Sequence, residues 1–306
     1  MAKKKIDFEG PSVAMVTPFK ADGSIDEAAH KLNVRQCIDT GLTSVMCSGC
    51  TGEFWALTKE ERKRVYKLTV EAASGRVPVV AGTGAIRTED AIELSEAAKA
   101  AGCNAVMVIN PFFVKPSVDD LIAHYRAISD AVAIPIMLYN IPSATTNPLT
   151  PEIVSKLSDI KNVVAIKESS FDFNNFTRTL QLAGDRIHVF GYGLPGLMAG
   201  ASGSFHVHAN YWDERASESF FAFKRGDVER AKRIHDQSLA VEAVFNDKGR
   251  NYYVSVKAAM NLFGRPGGYN RKPLRPLPEA ELAEMKVALA KAGLVPYRGT
   301  ARAVAE

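Results

Sequence analysis

The sequence predicts an α/β fold, a (β/α)8 barrel carrying a C-terminal helical extension. Three observations predict it. Short apolar runs rich in β-branched residues recur at 12–19, 43–49, 77–84, 104–112, 134–140, 163–169, 188–193 and 203–210. Amphipathic stretches of helical period separate most of them. Beyond about residue 212 the pattern is purely helical. Strands that alternate with helices every ~25–34 residues read as parallel βαβ units. Eight of them fit a closed barrel better than a doubly wound sheet, which usually has about five or six strands. The last two units are shorter than the rest.

The individual elements support this order. In LTKEERKRVYKLTVEAASG, Thr58 and Glu61 have capping-box spacing, and Gly75 follows the last turn. RTEDAIELSEAAKAAG reads as a helix opened by its threonine and closed by Gly102. ERASESFFAFKRG, DVERAKRIHDQSLAVEAVF, YYVSVKAAMNLFG and PEAELAEMKVALAKAGL supply the C-terminal helices. No Gly/Ser-rich or Pro-rich linker precedes them. The expected division is a barrel catalytic domain at 1–211, with the final barrel helix and helical region at 212–306.

Composition narrows the function. The 306 residues are 46% hydrophobic and 24% charged, as expected of one large globular domain. The net charge of +4 is scattered, and the densest basic run, GRPGGYNRKPLRP at 264–276, is broken by Gly and Pro. A nucleic-acid partner is therefore not expected. MAKKKIDFEG lacks the apolar core of a signal peptide, and no run approaches the ~18 apolar residues of a membrane span. Four cysteines are too few for a disulfide framework at this length. Cys47 and Cys50 form a CxxC without a second ligand pair, so a zinc site is not expected. The reading is of buried or pocket thiols in a cytoplasmic protein. No GxxxxGK[ST] occurs, which withdraws support from P-loop nucleotide binding.

The chemistry centres on VVAIKES at 163–169. Four apolar residues in a row read as a strand buried on both faces, and Lys167 closes it. Burying an unpaired ammonium costs several kcal/mol, so Lys167 either pairs with Glu168, reaches solvent, or is a desolvated nucleophile. In a parallel barrel the C-terminal strand ends face the active site. There the sequence places Thr17-Pro18, GCTGE (49–53), NPFF (110–113), Tyr139-Asn140 and Lys167. A lysine of depressed pKa attacks a ketone to form an imine, and a tyrosine hydroxyl moves protons beside it. The glycines of GCTGE open backbone N–H groups to an anion, with Thr51 adding a hydroxyl. Phe54 and Trp55 follow this turn as pocket-wall or core residues. His206 and His208 share one face of strand 8 by period-two spacing, either toward the barrel or packed under the helices.

GCTGEFWALTKEER, YNIPSATTNPLTPE and VVAIKESSFD resemble three motifs of the dihydrodipicolinate synthase/N-acetylneuraminate lyase family of class I aldolases. The resemblance runs from SVAMVTPF through GGYNRKPLRPLPEAEL, nearly the whole chain. It implies a TIM barrel, usually tetrameric, with no metal or organic cofactor. It gives Lys167 the imine and Tyr139 the proton transfer. Thr51, with the backbone of Cys50 and Thr51, takes the pyruvyl carboxylate, and Phe205 lines the pocket through its carbonyl. Dihydrodipicolinate synthases usually have a hydroxyl residue where Cys50 stands, a second tyrosine where Phe113 stands and an arginine where Ala144 stands. These departures favour aldol cleavage, condensation or dehydration of a 2-keto-3-deoxy sugar acid. 4-Hydroxy-tetrahydrodipicolinate synthase is the second reading. A non-catalytic small-molecule-binding barrel is the third, although it would need neither Lys167 nor Tyr139.

Overall fold

A computed structural model of the protein describes residues 3–297. The ends of the two expected segments, residues 1–2 and 298–306, lie outside the described residues. Eight strands form a closed parallel barrel in chain order. They are β1 Gly10–Ala14, β2 Ser44–Cys47, β3 Val79–Gly82, β4 Ala105–Ile109, β5 Ile136–Asn140, β6 Val163–Glu168, β7 His188–Phe190 and β8 Gly203–His206. Each falls within or beside one of the apolar runs, and every residue of β1 to β7 is buried. The strands are shorter than the runs, because the runs continue into the loops that build the mouth. β8 closes onto β1, pairing Ser12 with Phe205.

Between the strands run α1 Glu27–Asp39, α2 Lys59–Ala73, α3 Thr88–Ala100, α4 Val118–Ala131, α5 Pro142–Thr145, α6 Pro151–Leu157, α7 Phe173–Ala183 and α8 Gly193–Met198. After β8 follow α9 Arg215–Lys224, α10 Val228–Asn246, α11 Tyr252–Leu262 and α12 Glu279–Lys291. The Thr58/Glu61 capping box forms as expected at the start of α2. The start of α3 differs from expectation: Arg87 is its N-cap, and Thr88 is the first helical residue. The Thr88 hydroxyl is engaged elsewhere, with His124 Nδ1 of α4 at 2.9 Å. The short last units are genuine, with a three-residue β7 and a six-residue α8.

GYGLPG at 191–196, between β7 and α8, does have the GxGxxG spacing of dinucleotide loops. Here the glycines serve packing, since a Cβ at Gly196 would sit 2.1 Å from the Gly191 carbonyl oxygen. The loop also stands in a closed barrel, not at the switch point of an open sheet.

The C-terminal helices belong to the same core as the barrel. Ile234, Val241, Phe245, Val256 and Met260 pack in one continuous apolar cluster with the strands. The basic run after α11 is a strap. Tyr269 bridges to Phe19 after β1, and Arg271 donates to Gly23 O and forks onto the Glu61 carboxylate at 2.6 and 2.8 Å. Its positive charge is used in holding the C-terminal segment over the barrel mouth.

Candidate active site

Lys167 lies at the C-terminal end of β6, and the sheet register pairs it directly with Tyr139 of β5. Its Nζ stands 4.3 Å from the centroid of the Tyr139 ring. Both side chains are buried, Lys167 at 9% exposure and Tyr139 at 4%. Pairing with Glu168 does not occur, because consecutive strand residues point to opposite faces. The Glu168 carboxylate accepts from Asn140 Nδ2 at 2.8 Å, Asn175 Nδ2 at 3.1 Å and Ser170 N at 2.7 Å. Desolvation, opposed in part by nearby Cys50, lowers the Lys167 pKa to about 8. Burial drives the Tyr139 phenol well above its ordinary value, so it stays protonated.

The GCTGE turn after β2 lies against this pair. A Cβ at Gly49 would come within 2.2 Å of Met46 Cε. At Gly52 it would crowd the Met15 carbonyl at 3.1 Å, and Thr17 Oγ1 donates to Gly52 O at 2.8 Å. Gly52 N and Glu53 N close the turn onto Gly49 O and Cys50 O, each at 3.0 Å. Among the described residues, the N–H groups of Cys50 and Thr51 donate to no backbone carbonyl. Two unengaged backbone donors beside the Thr51 hydroxyl suit an anion. The Cys50 thiol hydrogen-bonds with the hydroxyls of Tyr139 and Tyr253. Cys47 instead contacts Thr69 of α2, so the two cysteines do part company; all four are free thiols.

Glu53 ends the turn with a left-handed backbone, φ 53°, and is fully buried. Its carboxylate binds Lys257 Nζ of α11 at 2.5 Å, Asn270 Nδ2 at 2.8 Å and the Arg271 backbone N–H at 3.1 Å. Burial lowers the Lys257 pKa to about 8, against the pull of Glu53. This buried pair ties the extension to the turn. Glu53, Lys257 and Tyr253 were not singled out in the sequence. The available signals were the glutamate of GCTGE and a lysine within the apolar stretch YYVSVKAAMNLFG.

A cavity of about 220 Å³ adjoins the site, lined by Cys50, Tyr139, Phe54, Met107, Ile109 and Arg62 among others. The Arg62 guanidinium is engaged with the carbonyls of Gly82 and Gly84. Phe54 meets Phe112 edge-on at 6.1 Å, so both wall the mouth. Trp55 is half-exposed and packs 5.1 Å from Tyr253. Phe205 is buried on β8 against Phe190. Ala144 is exposed on α5, and Phe113 is 90% exposed. His206 and His208 pack under the helices. They stack on each other at 4.5 Å, line a cavity against α8, α9 and α10, and His208 Nε2 meets Glu242 Oε1 at 2.9 Å. Among the described residues, no three His, Cys, Asp or Glu side chains are arranged to hold a metal, and no helix is long and apolar enough to cross a membrane.

Closed barrel, buried lysine and facing tyrosine are the arrangement of a Schiff-base lyase. The dihydrodipicolinate synthetase family model matches residues 7–292, and the chain belongs to that family. A 4-hydroxy-tetrahydrodipicolinate synthase of Citrifermentans bemidjiense is 39% identical, over 91% of this chain and 96% of its own. One from Hyphomonas neptunium is 38% identical, over 94% and 99%. Among solved structures, dihydrodipicolinate synthase DapA-2 of Bacillus anthracis matches with TM-score 0.86 and 34% identity, covering 94% of this chain and 98% of that one. YagE, a prophage protein of the dihydrodipicolinic acid synthase family from E. coli K12, was solved in complex with pyruvate. It matches with TM-score 0.89 and 30% identity, covering 94% and 99%. The chain is therefore an enzyme, a class I lyase of the lysine Schiff-base type acting on a small molecule. The relatives' names favour the synthase, the second reading of the sequence, over the sugar-acid lyase.

Proposed function

We propose that the protein forms a pyruvyl imine on Lys167. Tyr139 moves the protons of carbinolamine formation and collapse, and the pyruvyl carboxylate sits on Thr51 with the Cys50 and Thr51 N–H groups. The observation that carries this reading is the desolvated amine of Lys167 above the Tyr139 ring, with no carboxylate partner. By analogy with its relatives, the first reading of the full reaction is condensation of that imine with aspartate semialdehyde, as in 4-hydroxy-tetrahydrodipicolinate synthase. One observation favours a second reading, a 2-keto-3-deoxy sugar acid. An acceptor carboxylate wants a guanidinium fork, and Ala144 offers none where the family resemblance places one.

The test is a side-by-side assay: condensation followed through a coupled reductase, against pyruvate release from 2-keto-3-deoxy acids. Higher kcat/KM in condensation supports the synthase, and higher kcat/KM in release supports the sugar-acid lyase. Borohydride reduction with pyruvate should add one pyruvyl mass to the Lys167 peptide, and an adduct on another lysine would overturn the imine assignment. We place the enzyme in the cytoplasm as a homotetramer. Exposed Phe113, Phe171 and Met198 support assembly, which light scattering on the purified protein would test.

A further inference from the structure

We infer that Tyr253, on α11 of the C-terminal extension, is the outer member of a proton relay running Tyr139–Cys50–Tyr253 from the lysine to the barrel mouth. It is a positioning residue that acts on the reaction through Cys50, and the inference rests on the Schiff-base reading. Three contacts carry it. Lys167 Nζ lies over the Tyr139 ring at 4.3 Å. The Cys50 thiol hydrogen-bonds on one side to the Tyr139 hydroxyl and on the other to the Tyr253 hydroxyl. Tyr253 is only partly buried and packs 5.1 Å from half-exposed Trp55. The chain of hydroxyl, thiol and hydroxyl thus leads from a closed interior to an edge that water reaches.

The proton bookkeeping closes. When the carbinolamine collapses, the nitrogen lone pair forms C=N as the C–O bond breaks, and the leaving hydroxyl takes the Tyr139 proton to depart as water. The Cys50 S–H proton replaces it on Tyr139, and the Tyr253 O–H proton replaces that one on sulfur. The deficit ends on Tyr253, where water refills it. The reverse sequence carries a proton inward. Burial raises both Tyr139 and Cys50 above their ordinary values, so neither holds a lasting negative charge, and a relay that passes the deficit outward removes that need. Tyr139 alone would have to stay a phenolate beside the new imine.

The experiment uses the full chain and four variants, Tyr253→Phe, Cys50→Ala, Cys50→Ser and Cys50→Ala/Tyr253→Phe. Readouts are kcat, KM for pyruvate and borohydride trapping. Tyr253→Phe keeps the ring and removes only the oxygen, so Tm checks the fold. The expected result is a kcat loss of at least about tenfold in Tyr253→Phe, with KM within about twofold and full trapping at Lys167. Cys50→Ala should lose as much, and the double variant no more than either single, because a broken chain cannot break twice. Cys50→Ser, which restores a donor and acceptor, should recover most of the rate. If trapping labels Lys167 but Tyr253→Phe keeps kcat within twofold, the relay is wrong while the imine stands. Multiplying losses in the double variant also overturn the relay. Absence of any pyruvyl adduct in the parent protein would sink the Schiff-base reading, and the relay with it.

Discussion

The pKa of Lys167 sets how much nucleophile the enzyme has at neutral pH, and that quantity is measurable. With a pKa of about 8, roughly one molecule in ten carries the neutral amine at pH 7; at the ordinary 10.5 it would be about one in three thousand. Burial at the barrel mouth therefore raises the nucleophile population about 300-fold. Rapid mixing with pyruvate, a borohydride quench and mass spectrometry of the Lys167 peptide would give the rate of imine formation at each pH. That rate should climb about tenfold per pH unit below neutrality and level off near pH 8. A rate still climbing tenfold between pH 9 and 10 would refute the argument, since it describes a solvated lysine. The same shift has a stability cost of known sign. The folded pKa is lowered, so between about pH 8 and 10.5 the unfolded chain binds the extra proton and stability rises with pH. Below pH 8 the full penalty stands, at most about 3 kcal/mol, and attraction to the Tyr139 ring offsets ~1–2 of it. Lys167→Met should thus be inactive yet more stable than the parent at pH 7 in urea unfolding. The gain should vanish toward pH 10.5. Lys257, also lowered to about 8, is common to both proteins and cancels in the difference.

Tyr139→Phe should lower kcat by roughly 10²–10⁴ while pyruvate binding changes much less; near-parental turnover would leave the tyrosine a packing residue only. Glu53→Gln strands the buried Lys257 ammonium, so urea unfolding should show a loss of about 3–5 kcal/mol, and a loss below about 1 would mean that the pair contributes little to holding the extension. Ala144→Arg should raise kcat/KM for aspartate semialdehyde by at least about tenfold without altering pyruvate trapping, because a guanidinium on exposed α5 would supply the missing carboxylate partner. No gain in that variant would mean that the acceptor lies elsewhere in the mouth.

What the sequence shows and hides here follows from the range of each interaction. The eight strands were legible because burial on both faces of a parallel sheet leaves a local mark, an apolar run a few residues long, whatever lies beside it. Lys167 and Tyr139 were legible because each breaks such a run at its end. Glu53 and Tyr253 left no local mark. Glu53 reads as one more turn residue until Lys257, Asn270 and Arg271 arrive from more than 200 positions later in the chain to surround it. Tyr253 reads as core until α11 folds back over the mouth and sets its hydroxyl against Cys50. The basic strap likewise looked like unused charge until Arg271 reached Glu61 across the same fold. The extension, which composition alone makes a helical appendage, is therefore what holds the GCTGE turn and supplies the outer wall of the site. Activity and the seating of the C-terminal helices should be lost together, because Glu53 serves both.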